Sequence, residues 1–205
     1  NNLNIIKSEI ESKKKKVNII AVSKTFPLNT ITPLINNGHV HYGENKVQEA
    51  VEKWSSLKSD FKDIKLHLIG KLQTNKVKFV LPLFDYIHSL DSIKLAEKIS
   101  LEQKKKNFKP KIFVQVNIGN EVQKNGIDKE NLAPFLASCK KNFDLDIIGL
   151  MCIPPNDDKT ELYFREMQEL NKKFGLSDLS MGMSSDYISA IDNGATYIRV
   201  GSKIF

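Results

Sequence analysis

Arginine is nearly absent from this chain. Of its 31 basic side chains only Arg165 and Arg199 are arginine, and the rest are lysine. Arginine is the residue that grips bases and phosphates with a planar fork. The net charge of +7 is therefore read as a solvated, mildly basic surface and not as a nucleic-acid footprint. Its lysines are scattered along helical segments such as Lys13 to Lys16 and Lys104 to Lys106. Cysteine is equally scarce. Cys139 and Cys152 alone support neither a disulfide framework nor the usual metal clusters, which points to a reducing, cytoplasmic setting. No apolar run approaches the about 18 residues a membrane helix needs. The opening stretch NNLNIIKSEIESKKKK is amphipathic and lacks the apolar centre of a secretory signal. No Pro/Gly-rich hinge or shift of composition divides the chain, so residues 1–205 are expected to form one domain.

What is present is an alternation. Short apolar runs read as strands at Asn18 to Ser23, Val40 to Tyr42, Leu66 to Ile69, Tyr86 to Ser89, Lys111 to Asn117, Asp146 to Met151, Leu179 to Met181 and Tyr197 to Val200. Helical patterns lie between them: Thr30 to Asn37, Asn45 to Leu57, Asn75 to Leu81, Ser92 to Lys105, Lys129 to Lys140, Lys159 to Phe174 and Ser185 to Asn193. In the second of these, Val47, Ala50, Val51, Trp54 and Leu57 share one face. Eight βα units in so short a chain predict an α/β fold of the (β/α)8 type, with a doubly wound open sheet as the alternative. The extra N-terminal helix would then stand in for the outer helix that should follow the last strand.

Polar residues and glycines gather at the C-terminal end of every expected strand, and in a parallel barrel those ends form the rim where sites are built. The stretch SMGMSSD passes through Gly182 into a helix expected near Ser184, and RVGSKIF supplies Gly201 and Ser202. Loops after the last two strands commonly hold phosphate in barrels. Arg199 differs in parity from its apolar neighbours Ile198 and Val200; if those face the helices it points into the barrel, where a guanidinium needs a partner. Lys24 ends the first strand. It could serve as a point charge on a phosphate or attack a carbonyl to form a Schiff base, and apolar surroundings with a nearby cation would favour the free amine.

The motifs AVSKTFP, HYGENKVQEA, HLIGKLQTNK, VNIGNEVQKNGI, GLMCIPP, LSMGMSSD and IRVGSKIF resemble, in that order, those of the pyridoxal phosphate homeostasis proteins, from about Val17 to Phe205. The resemblance implies a barrel like the N-terminal domain of alanine racemase. It implies pyridoxal 5′-phosphate held as a covalent aldimine on Lys24, with phosphate contacts from Ser184, Gly201 and Ser202, the last standing where Thr is common. It places Arg199 at the pyridine nitrogen and Asn45 and His67 near the cofactor.

It also implies little turnover. A cation and donor at the pyridine nitrogen disfavours its protonation, and an unprotonated ring is a weaker electron sink. Alanine racemase compensates with two bases, a Lys and a Tyr from a second domain of the partner subunit. Here Tyr42 and Tyr187 fall near the rim with no signal marking either as a base. The expected role is to buffer or deliver the cofactor, with PLP-dependent apoenzymes as the recipients, no nucleic-acid or membrane partner, and a monomeric state. The alternative is a slow PLP-dependent racemase or lyase. A sugar-phosphate isomerase or aldolase on the same barrel is a weaker third reading.

Overall fold

The structure, a computed structural model, describes residues 2–205. All eight expected strands are present: β1 (Asn18–Val22), β2 (His41–Glu44), β3 (Lys65–Leu68), β4 (Tyr86–Leu90), β5 (Lys111–Gln115), β6 (Asp146–Met151), β7 (Asp178–Ser180) and β8 (Tyr197–Val200). Each pairs in parallel with the next, and β8 returns to β1 in the register Asn18↔Tyr197 through Ala21↔Val200. That last pairing closes the barrel and excludes the open sheet.

Strand parity divides the apolar side chains. Ile19, Ala21, Leu66, Leu68, Ile198 and Val200 face outward into the layer shared with the helices. Ile20, Tyr86, Phe113, Met151 and Tyr197 form a separate cluster that fills the interior. The outer layer is made by α1 (Asn2–Ser12), α2 (Leu28–Asn36), α3 (Val47–Asp60), α4 (Val77–Val80), α5 (Ile93–Lys106), α6 (Lys129–Asn142), α7 (Thr160–Lys173) and α8 (Tyr187–Asp192). On α3, Val47, Ala50 and Trp54 are buried as the periodicity requires.

The leading helix takes the vacant place in the ring. Leu3, Ile6 and Ile10 of α1 join the outer core. Tyr187 of α8 donates to Glu9, Lys13 pairs with Asp192 at 3.0 Å, and Lys15 Nζ donates to the Ile191 carbonyl at 3.0 Å.

Several boundaries differ from the sequence reading. The segment after β3 is a 3-10 turn at Thr74–Lys76 followed by one turn of α4, because Pro82 cannot continue a helix. β2 runs on to Glu44, whose backbone pairs with Leu68 of β3. α8 begins at Tyr187, since residues 184–186 form a turn.

Candidate functional site

A cavity of about 570 Å³ opens at the C-terminal ends of the strands. Lys24, Asn45, Ser184, Arg199, Gly201 and Ser202 all line it, together with Lys71, Gln115 and Asn125. Six of the seven residues singled out in the sequence therefore meet in one place. His67 is the exception. It is fully buried below the cavity floor, stacked on Tyr86 at 4.0 Å between ring centroids. Just past the end of β3 it is Ile69, two residues further on, that reaches the cavity.

Lys24 sits in the turn that follows β1, and the turn is held on both sides. Ser23 Oγ donates to Glu44 Oε1 at 2.8 Å. Lys53 Nζ donates to the Ser23 carbonyl at 2.8 Å and to Glu44 Oε1 at 2.9 Å. The Thr25 N–H donates to Glu49 Oε1 at 2.8 Å. Thr25 has φ of 65°, a region β-branched residues rarely enter, and these bonds hold it there. Glu44 is fully buried and accepts a further bond from Trp54 Nε1 at 2.8 Å. Backbone hydrogen bonding by Thr25 and the Lys53 ammonium keep the Glu49 carboxyl below its ordinary range. The apolar surroundings expected of Lys24 are not found: its side chain is exposed at the cavity mouth.

Across the cavity the two loops expected to bind an anion come together. Ser202 Oγ donates to Ser184 Oγ at 3.3 Å. Ser184 does not cap α8. Asp186 organises the turn by accepting the Met183 N–H on Oδ1 at 2.7 Å, which leaves both serine hydroxyls on the cavity wall. Gly182, with φ of 99°, is required here because a Cβ would lie 2.7 Å from that of Ala190.

Arg199 forms part of the floor and is 3% exposed. Its Nη1 donates to Ser180 Oγ at 2.6 Å and its Nη2 to the Cys152 carbonyl at 2.9 Å. Among the described residues no carboxylate lies within ion-pair distance of it, and burial lowers its pKa from the ordinary guanidinium value. Below it, His88 Nδ1 lies 2.9 Å from Ser180 Oγ, His67 Nδ1 lies 2.8 Å from His88 Nε2, and His41 Nδ1 lies 2.9 Å from His67 Nε2.

The charged groups on the cavity wall are Lys24, Lys71 and Arg199, all cations, and no carboxylate, histidine or tyrosine lines it. A buried guanidinium with no carboxylate in ion-pair contact, two adjacent hydroxyls and an exposed amine fit a ligand carrying both a phosphate and an aldehyde. Tyr42 and Tyr187 are buried away from the cavity, packed in the outer layer. Lys71, Gln115 and Asn125 had no role legible in the sequence. Gln115 and Lys71 lie at or just beyond a strand end, and that position was the available signal; Asn125 lies well past β5 in the loop ahead of α6, and only the fold brings it to the rim. Lys53 was missed because only the contact between β2 and α3 brings it to Glu44.

Comparisons with known proteins agree with this geometry. The alanine racemase N-terminal domain model matches residues 1–205. The chain is 38% identical to the pyridoxal phosphate homeostasis protein of Aquifex aeolicus over 91% of this chain and 85% of that protein. It is 36% identical to the protein of the same description from Haemophilus influenzae over 100% of this chain and 93% of that one. The structure of PipY from Synechococcus elongatus with PLP bound superposes with a TM-score of 0.86 at 34% identity, covering 97% of this chain and 98% of that one. Alanine racemase of Clostridium difficile shares the fold, with a TM-score of 0.78 at 16% identity over 100% of this chain and 55% of that one. An all-cationic rim cavity on a closed barrel, and relatives matched along the whole chain, lead to one conclusion: the chain belongs to the pyridoxal phosphate homeostasis family, within the alanine racemase N-terminal domain class.

Proposed function

We propose that this chain binds pyridoxal 5′-phosphate in the rim cavity and buffers it or hands it to apoenzymes, acting as a monomeric, single-domain cytoplasmic protein without significant turnover. The observation that carries the reading is the wall of the cavity, where the charged groups are cations and one of them is a lysine whose flanking backbone is clamped on both sides. The bound cofactor of PipY, a relative at 34% identity, supports it.

When bound, the cofactor supplies an aldehyde that amines capture and a ring that can delocalise electrons. Lys24 is the residue that would hold it covalently, as a Schiff base. The hydroxyls of Ser184 and Ser202, with the backbone N–H groups of their turns and of Gly201, would take the phosphate. Arg199 would meet the ring nitrogen with a donor and keep it unprotonated, which restrains carbanion chemistry. Asn45 would contact the cofactor from the end of β2.

The absence of any carboxylate, histidine or tyrosine from the wall leaves lysines as the only bases there. Titration with pyridoxal phosphate, followed by visible absorbance, tests the binding. Incubation of the loaded protein with each amino acid in D2O tests the rest. Saturable binding without exchange at Cα is expected. Rapid exchange on any amino acid would establish a racemase or lyase instead, and absence of binding would remove the reading altogether.

A further inference from the structure

The interior of the barrel holds a line of polar groups that the cavity wall alone does not account for. It runs from Arg199 through Ser180, His88 and His67 to His41, with links of 2.6, 2.9, 2.8 and 2.9 Å. Ser180, His88 and His67 are completely buried. His41 ends the line at the opposite face of the barrel, where it lines a second cavity of about 480 Å³ with Lys7, Lys15 and Lys16.

The chemistry of the groups fixes the direction of every bond. A guanidinium only donates, so Ser180 Oγ accepts from Arg199. Ser180 has one proton and one other neighbour, His88 Nδ1, so its O–H donates there. His88 Nδ1 is then bare, and the neutral ring carries its proton on Nε2, which donates to His67 Nδ1. By the same step His67 Nε2–H donates to His41 Nδ1, and His41 keeps its Nε2–H for the far cavity. The opposite direction would give Ser180 two donors and strand its own proton in a dry interior. Burial and the neighbouring Arg199 hold His88 neutral, while burial and the adjacent imidazoles hold His67 neutral. The ring planes are fixed as well: His67 stacks on Tyr86 and His88 on Phe113 at 4.4 Å.

We infer that Ser180, His88, His67 and His41 form a one-way hydrogen-bond relay, all three imidazoles in the Nε2–H tautomer, that positions the Arg199 guanidinium at the cavity floor. The relay gives Arg199 a polarised but neutral acceptor in place of a carboxylate. The guanidinium charge is therefore not cancelled from below, and its remaining donors stay directed at whatever occupies the cavity. That consequence for the cofactor rests on the proposed function; the tautomers do not. The four residues are positioning residues, since none of them lines the cavity.

The test begins on ligand-free protein labelled with 15N histidine, using long-range proton–nitrogen correlation at neutral pH. The expected result is an Nε2–H tautomer for each of His41, His67 and His88. A proton on Nδ1 of His67 or His88 would overturn the relay. Ser180→Ala, checked for native circular dichroism, is expected to release the His88 tautomer into a mixture and to weaken pyridoxal phosphate binding about tenfold. Ser180→Thr, which keeps the hydroxyl, is expected to restore both. An unchanged His88 tautomer in Ser180→Ala would refute the assignment, and unchanged affinity would refute the positioning role. Wild-type protein that binds no pyridoxal phosphate would overturn the ligand reading alone, with the tautomers still deciding the relay.

Discussion

At the scale of single residues, the placement of Lys24 depends on a carboxylate that never touches the cavity. Glu44 is sealed under β1, β2 and α3, and Lys53, with a side chain 10% exposed, is its charged partner at 2.9 Å. Removing one member of a buried pair leaves the other uncompensated. Lys53→Met is therefore expected to lower stability by about 3 kcal/mol in urea unfolding. It should also weaken cofactor binding, because Lys53 holds the Ser23 carbonyl beside Lys24. Lys24 and Arg199 were legible in the sequence from position alone, one at a strand end and one at the wrong parity for an apolar face. The depth of His67 was not. Parity assigns a side chain to the interior, but not to a level along the barrel axis, and one two-residue step separates His67 from Ile69 on the cavity wall. The clamp on Lys24 was hidden for a different reason: its members come from three elements, and only Glu49 and Lys53 share a recognisable i,i+4 spacing.

At the scale of elements, all eight strands were visible in the sequence because parallel strands buried on both faces read as short apolar runs. Helix starts were less visible, since Ser184 and Asn45 have the chemistry of caps but lie in turns ahead of α8 and α3. The close approach of two strand ends sets another constraint. A Cβ on Gly70 would fall 2.3 Å from the Asn45 carbonyl oxygen, and both residues line the cavity. Gly70→Ala is expected to cost about 1–3 kcal/mol and to reduce cofactor affinity, measured by urea midpoint and by absorbance titration on the same sample. The leading helix is a structural member of the ring. Ile6 on α1 is fully buried, so Ile6→Ala should cost about 3 kcal/mol in the same unfolding assay while leaving the rim untouched. Equal stability of that variant would show α1 to be dispensable.

At the scale of the whole molecule, the buried histidines make stability depend on pH. Burial, with Lys7 next in effect, lowers the His39 pKa to about 4. Burial and Lys65, opposed by Asp85, lower that of His41 to about 4. Unfolding returns each to 6.5, so between about pH 4 and 6.5 the unfolded chain binds more protons than the folded one. Stability should fall as pH drops through that window, by roughly 2 kcal/mol per site between pH 7 and 5, and should be flat in these groups above it. His67 and His88, also held neutral by burial, act in the same direction. Urea midpoints at pH 7 and pH 5 measure the effect. Among the described residues no helix is long and apolar enough to cross a membrane. Of the cations on the rim, Lys24 is the one expected to capture the cofactor. Borohydride reduction of the loaded protein followed by peptide mapping tests it directly. A single reduced adduct on the peptide carrying Lys24 is expected; an adduct on Lys71 or any other lysine, with Lys24 unmodified, would rule that capture out.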